Sequence, residues 1–327
     1  MKAVIITRAG GPEVLGVEER PTPAPSAGQV RVRVFASALN RADILQRMGN
    51  YPVPAGAPAD IAGMEYAGEV DALGDSVRLW KQGDRVMGIV GGGGHAEFLT
   101  VHEREAIPIP AGMSWDNAAA IPEVFLTAYD ALFTRLALST GETLLIHAVG
   151  SGVGTAAVQL AKVVGARIIG TARSAAKLSR VKELGLDIGV DASRGDWATQ
   201  VESAIGRDTV NATLDLVGGN YLEGNLRVAS LKGRIVVVGL TAGNTAPFNM
   251  GILLRKRLTI VGTVMRARTL EEKISIAREF STRVIPLFES GRLKPVVDRV
   301  FAFEEIAEAH RLMESNATFG KIVLIWR

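Results

Sequence analysis

The sequence predicts an α/β protein in two parts: a β-rich first part, and a doubly wound parallel sheet with helices on both faces. Three observations predict it. Short alternating strands precede residue 115, strands and helices alternate after it, and a glycine-rich turn joins one buried strand directly to a helix. In the first part, Gln29-Val30-Arg31-Val32-Arg33-Val34-Phe35 alternates polar and apolar residues with period two, the pattern of a half-buried strand. Further strands are expected at 2–7, 64–70, 85–90 and 95–101, separated by turns such as Gly10-Gly11-Pro12 and Pro52-Val53-Pro54-Ala55-Gly56. Strands so short and so regularly interrupted suit a small barrel-like domain.

The texture changes near residue 115. Ser114-Trp115-Asp116-Asn117 offers capping residues, and an apolar helical stretch is expected to run through Leu136. Strands at 143–149, 167–172, 212–217, 234–240 and 257–265 then alternate with helices, two of them at 153–164 and 176–184. From about Thr269 a long helix, an amphipathic helix over 303–315 and a strand over 321–326 are expected to return to the first domain.

Composition narrows the function classes. A chain of 327 residues favours two domains. Lys and Arg number 37 against 34 Asp and Glu, and an excess of three charges builds no field for a nucleic-acid partner. The one dense basic run, Arg255-Lys256-Arg257, reads as a solvated loop. With no cysteine, disulfides, thiolate nucleophiles and cysteine-ligated zinc are excluded, and a reducing cytoplasm is the compatible compartment. The apolar run after Met1 is too short for a signal peptide, and no stretch reaches the roughly 18 apolar residues of a membrane span. A soluble protein is expected.

The most informative segment is Leu144-Leu145-Ile146-His147-Ala148-Val149-Gly150-Ser151-Gly152-Val153-Gly154-Thr155. A strand enters a small-residue turn that opens a helix, whose first N–H groups have no partner inside the helix and whose dipole attracts a pyrophosphate. The strict G-x-G-x-x-G fingerprint is absent, because Val149 and Ser151 stand at its first two glycine positions. The order of strand, turn and helix nonetheless supports nucleotide binding by Gly150, Ser151, Gly152, Val153 and Gly154. About 20 residues further on, where NAD-binding domains place a carboxylate for the ribose 2′-hydroxyl, the chain reads Gly170-Thr171-Ala172-Arg173-Ser174-Ala175-Ala176-Lys177. Arg173 and Lys177 can supply charge and Ser174 a hydrogen bond to a 2′-phosphate, so NADPH is the expected cofactor. The plainer alternative is that Arg173 and Lys177 are solvated residues at a helix start.

In these residues and in further motifs the chain resembles the medium-chain dehydrogenase/reductase superfamily, and within it the zinc-free quinone oxidoreductases of the zeta-crystallin-like and tumour-suppressor-induced kind. The resemblance rests on Ser37-Ala38-Leu39-Asn40-Arg41-Ala42-Asp43, Met48-Gly49-Asn50-Tyr51, Gly63-Met64-Glu65-Tyr66-Ala67-Gly68-Glu69-Val70 and Gly83-Asp84-Arg85-Val86. Ala118-Ala119-Ala120-Ile121-Pro122, the Ser151–Gly154 turn and Gly320-Lys321-Ile322-Val323-Leu324 extend it over nearly the whole chain. It implies a Rossmann-type nucleotide domain over 122–264 and a GroES-like substrate domain over 1–121, completed by 265–327. It also implies an active cleft at their junction and a homodimer paired through the last nucleotide-domain strand. Gly239 and Leu240 join the implied cofactor contacts.

Where zinc members carry a ligating cysteine and histidine, this chain has Asn40 and Met64, and no metal site is expected. His95 and His102 are expected as surface or hydrogen-bonded residues rather than a metal pair. Asn40, Tyr51 and Thr127 match positions lining the family's cleft. Asn40 is expected to donate to a substrate carbonyl, Tyr51 to donate a hydrogen bond or proton, and Thr127 to meet the carboxamide end of the cofactor. The activity so implied is NADPH-dependent reduction of quinones or other conjugated carbonyls. An enoyl-thioester or enone reductase is the nearest alternative, and a crystallin-like or RNA-binding nucleotide carrier without dedicated catalysis is a third.

Overall fold

A computed structural model describes residues 1–326 in two compact units, Met1–Leu126 with Met265–Arg327, and Thr127–Val264. The first unit opens with β1 (Lys2–Ile6), which pairs antiparallel with β2 (Leu15–Glu19). Its organising strand is β3 (Gln29–Ala38), where Val30, Val32 and Val34 are buried and Arg33 between them is exposed, as period two requires. Helix α1 (Arg41–Arg47) follows, then β4 (Glu65–Leu73), β5 (Arg85–Ile89), β6 (Phe98–His102) and the short β7 (Ile107–Pro108). The early half of β3 pairs with β6 on one edge, and all of it pairs with β4 on the other across two bulges. Those bulges bend the strand and free the end of its first edge for a different partner.

The apolar stretch expected as one helix through Leu136 is broken. It forms α2 (Trp115–Ala119), α3 (Pro122–Tyr129) and a π-helical turn over Asp130–Arg135. Pro122 lacks an N–H and disfavours helical geometry at Ile121, so the chain starts anew there.

The second unit is a six-stranded parallel sheet. Its elements run β8 (Thr143–Ile146), α4 (Gly152–Val163), β9 (Arg167–Ala172), α5 (Ala175–Lys182), β10 (Ile188–Asp191), α6 (Trp197–Ile205) and β11 (Val210–Asp215). They continue as α7 (Tyr221–Val228), β12 (Ala229–Val237), α8 (Met250–Lys256) and β13 (Thr259–Gly262). The spatial order β10-β9-β8-β11-β12-β13 reverses direction between β8 and β11, the switch point at which such sheets bind ligands outside their carboxyl ends. The basic run expected as a loop lies largely on α8, and Lys256 is not solvated in the expected way. Its ammonium donates to the carbonyls of Leu226, Arg227 and Ala229, capping the end of α7.

The tail returns to the first unit as α9 (Leu270–Arg283), α10 (Ile285–Glu289), β14 (Val297–Ala302), α11 (Ile306–Glu314) and β15 (Lys321–Ile325). Strand β15 pairs with the late half of β3, the stretch that β6 leaves open. Ile322, Leu324 and Trp326 thereby join Val30, Val32, Tyr66 and Val70 in one core.

Candidate functional site

In the second unit, the turn after β8 is built for close approach. Ala148 sits in the left-handed region with φ 48°, a conformation costly for a residue with a Cβ and met at binding turns. A Cβ on Gly154 would lie 2.6 Å from the Val149 carbonyl oxygen and 2.7 Å from that of Ala148, so only glycine lets α4 start against the turn. Ser151 is the N-cap, its hydroxyl oxygen accepting the Gly154 N–H at 3.1 Å. The first-turn N–H groups of Gly152 and Val153 have no acceptor inside the helix and, with its dipole, fit a diphosphate.

The neighbouring loops complete this edge. Arg173 follows β9 and is exposed, Ser174 caps α5 by accepting the Lys177 N–H, and Lys177 lies in the first turn. Asp191, the carboxylate ending β10, is engaged by Ser193 and Arg194. Gly239 and Leu240 follow β12, and a Cβ on Gly239 would come within 2.5 Å of the Leu216 carbonyl oxygen. The predicted cofactor residues are thus collected at the carboxyl ends of β8, β9 and β12. Beneath them lies a buried chain that sequence reasoning missed. His147 bridges Thr171 Oγ1 (2.9 Å) and Asn225 Oδ1 (2.7 Å), and the Asn225 amide donates to Asp215 Oδ2 at 2.9 Å. Asp215 Oδ1 in turn accepts the N–H groups of Val217 and Gly218. Because the amide nitrogen of Asn225 serves Asp215, its oxygen accepts, which puts the His147 proton on Nε2 and leaves Nδ1 to accept from Thr171. Burial holds this imidazole below its ordinary range, with Asp215 and Asn225 opposing, and the neutral ring ties the end of β9 to α7 and, through Asn225, to Asp215 at the end of β11.

In the first unit, three strands converge on the end of β3. Val323 lies opposite Ala38 on one side and Tyr66 opposite Ser37 on the other. This register delivers Lys321 from β15 and Glu65 from β4 to Asn40, just beyond β3. The Lys321 ammonium donates to the Leu39 carbonyl (2.6 Å), to Asn40 Oδ1 (2.6 Å) and to Glu65 Oε1 (2.7 Å), which uses all three of its protons. Glu65 also accepts the Asn40 amide at 2.9 Å and the Glu123 N–H at 2.8 Å. Burial raises the Glu65 carboxyl, while Lys321, the Glu123 N–H and Asn40 pull it back down. Asn40 is 7% exposed, and its second amide proton goes to the Ala38 carbonyl at a long 3.3 Å. The side chain expected to be a ready carbonyl donor is therefore first of all a cross-link in this cluster.

Tyr51 lies on the loop after α1, half-buried, with the Arg266 guanidinium 5.2 Å from its ring centre. Burial pushes its phenol up, Arg266 draws it down, and Glu123 and Asp43 add to the rise. Thr127 is buried on α3, in the second unit. His95 is buried against Ser37 Oγ at 2.9 Å, whose hydroxyl accepts Trp326 Nε1. With Asp43 Oδ2 4.0 Å from its other nitrogen, this serine, histidine and aspartate resemble a catalytic triad, but all three are fully buried in the core. His102 does not join His95; it ends β6, its Nδ1 accepting the Arg104 N–H. Sequence reasoning missed the Glu65–Lys321 pair and Arg266. The available signal was a charge at the edge of an apolar run, as in Lys321-Ile322-Val323-Leu324-Ile325.

Known proteins agree with this architecture. The family described as "Zinc-binding dehydrogenase" matches residues 152–282, and the "Alcohol dehydrogenase GroES-like domain" matches residues 26–111. A quinone oxidoreductase-like protein 2 homolog of Nematostella vectensis is 32% identical over 99% of this chain and 88% of its own. The crystal structure of Escherichia coli quinone oxidoreductase complexed with NADPH matches with a TM-score of 0.88, at 29% identity over 100% of both chains. That of the CurK enoyl reductase matches with a TM-score of 0.86, at 28% identity over 99% of this chain and 98% of that one. A GroES-like unit, a nucleotide-binding sheet and relatives that span the chain therefore lead to one conclusion: the chain belongs to the medium-chain dehydrogenase/reductase superfamily, among its quinone oxidoreductase-like members, and is a nicotinamide-dinucleotide-dependent oxidoreductase.

Proposed function

We propose that the protein uses NADPH to reduce quinones or related conjugated carbonyl compounds by hydride transfer without a metal. The observation that carries this reading is the edge formed by Gly150–Gly154 and Arg173, Ser174 and Lys177. It pairs a diphosphate cradle with two cations and a hydroxyl, and no carboxylate ends β9 to repel a 2′-phosphate. The E. coli quinone oxidoreductase structure with NADPH supports the choice of cofactor. Bound there, the reduced nicotinamide supplies the hydride.

Zinc does not fit the residues at Asn40, Met64 and Glu65. An amide and a thioether are poor donors, and the carboxylate already holds the Lys321 ammonium at 2.7 Å, which would repel a divalent cation. Carbonyl polarisation then falls to hydrogen-bond donors. Asn40 meets a substrate oxygen by exchanging its 3.3 Å bond to Ala38, the weakest of its contacts. Tyr51, whose hydroxyl donates to no protein group among the described residues, gives the proton, and Thr127 orients the carboxamide of the cofactor. A conjugated carbonyl suits this machinery because the charge that develops on oxygen is delocalised. Pairing of the free edge of β13 with its counterpart in a second copy gives a homodimer, and Met250 and Leu254 on α8, 73% and 76% exposed, supply apolar surface beside it. No described helix is long and apolar enough to cross a membrane, and the absence of cysteine suits the cytoplasm.

The test is NADPH oxidation across ortho- and para-quinones, enones, enoyl thioesters and aldehydes, with NADH as comparison. Turnover of quinones or enones with NADPH preferred supports the reading. Turnover confined to enoyl thioesters favours the second reading, an enoyl reductase, to which the CurK likeness and Tyr51 point. NADPH binding with no acceptor reduced favours a nucleotide carrier. Tyr51→Phe and Asn40→Ala are expected to lower turnover and leave NADPH affinity nearly unchanged.

A further inference from the structure

We propose that Arg266 is the electrostatic partner of Tyr51, a positioning residue that fixes the phenol on its loop and strengthens it as an acid. The inference rests on the reading of Tyr51 as proton donor and adds a residue to which nothing so far gives a role.

Arg266 is 3% exposed, yet its direct partners are all neutral. Nε donates to the Gly91 carbonyl at 2.7 Å, Nη2 donates to Gln46 Oε1 at 2.6 Å, and the buried Nη1 has no hydrogen-bond partner. No carboxylate among the described residues forms an ion pair with it; Asp43 acts only through space. A guanidinium does not shed its proton, and a buried charge without a contacting counter-ion is expensive. Stapling the end of β5 to α1 would need only a neutral donor. The positive charge has a purpose only if something facing it gains from it; of the two groups whose charge acts on it, Asp43 and Tyr51, the Tyr51 ring is the one stacked beside the guanidinium.

Tyr51 needs such help. Its loop lies between Gly49 and Gly56, both in the left-handed region, and contains no strand before β4. The charged groups facing the phenol are Arg266 from the segment before α9, Glu123 from α3 and Asp43 from α1. The two carboxylates and burial all disfavour a phenolate. Arg266 alone favours it.

A reduced nicotinamide, when bound, would supply a hydride to the far carbon of a conjugated carbonyl, whose π pair would move onto oxygen. The enolate takes the Tyr51 proton, the O–H electrons stay on the phenolate, and water later reprotonates it. A cation beside the ring stabilises the charge that this transfer leaves behind.

The experiment is an ultraviolet titration of tyrosinate in the cofactor-free protein. Wild type minus Tyr51→Phe isolates the Tyr51 signal from the other three tyrosines. The same difference is taken in Arg266→Met and Arg266→Lys backgrounds, with circular dichroism reporting folding. The expected result is a Tyr51 midpoint higher by about one pH unit in Arg266→Met, a tenfold weaker acid, with Arg266→Lys recovering part of the shift. The alkaline limb of the kcat profile for enones should move the same way, and Arg266→Met should cost nothing further in a Tyr51→Phe background. A Tyr51 midpoint unchanged in folded Arg266→Met overturns the proposal; if that variant does not fold, Arg266→Gln, which keeps a donor and removes the charge, takes its place, and an unchanged midpoint there overturns it. The titration needs no turnover, so a protein that reduces no acceptor would defeat the enzymatic reading and leave the acidity result standing.

Discussion

The two candidate sites, one in each unit, are built of different materials. The edge of the nucleotide sheet is made of backbone: first-turn N–H groups, small residues and a left-handed Ala148, with exposed cations at its rim. The end of β3 in the other unit is made of buried charge: Glu65, Lys321 and Asn40 satisfy one another almost wholly shielded from solvent. A backbone site tolerates change in its rim and fails when a Cβ intrudes. A charge cluster fails when any one member is removed, because the rest are left buried without partners.

Four measurements break or sharpen that contrast. The largest effect is expected of Lys321→Met, which strands the Glu65 carboxylate and should cost about 3–5 kcal/mol of folding stability, read from urea unfolding. A loss below 1 kcal/mol would show that the cluster is not held by its ammonium. Arg173→Ala should leave stability alone and weaken NADPH about tenfold or more in calorimetry, with NADH little affected. Equal weakening of both would remove Arg173 from 2′-phosphate recognition. Gly154→Ala should cost about 1–3 kcal/mol by overpacking against the Val149 and Ala148 carbonyls, and should weaken both coenzymes together. The smallest concerns acid. Burial lowers His95, His147 and His310, the last to about 3, so each is neutral when folded and protonates near 6.5 when unfolded. The stability they bring is present above pH 6.5 and drains as pH falls below it, for His310 by about 1.4 kcal/mol per unit down to about 3. His310→Gln should flatten the acid limb of a melting-temperature profile by one such share; an unchanged slope would mean that His310 is not held neutral.

The same contrast explains what the sequence makes legible. Strand β8 and the turn into α4 stand out because strand, turn and helix are contiguous, and periodicity with glycine placement is a local signal. The pairing of Glu65 with Lys321 spans most of the chain and depends on both strands sharing β3, which no local pattern encodes. Arg266 reads as an ordinary charge near the end of a strand, and only burial reveals its missing partner. Helix α8 was hidden for another reason: Arg257, with φ 51°, ends it in a left-handed turn usually announced by glycine. The break at Pro122 was written in the sequence, but the capping signal at Ser114 and the apolar run beyond it outweighed one proline.

The place of β15 between β14 and β3 bears on how the molecule is made. On the ribosome, everything the nucleotide sheet needs emerges as one uninterrupted stretch, and that sheet can close while the tail is still unsynthesised. The other unit must wait with an open β3 edge and an unneutralised Glu65 until β15 has been added. A stalled or clipped chain would therefore carry a finished parallel sheet and a half-built first unit, and quality control would meet it as an exposed strand rather than as a missing activity.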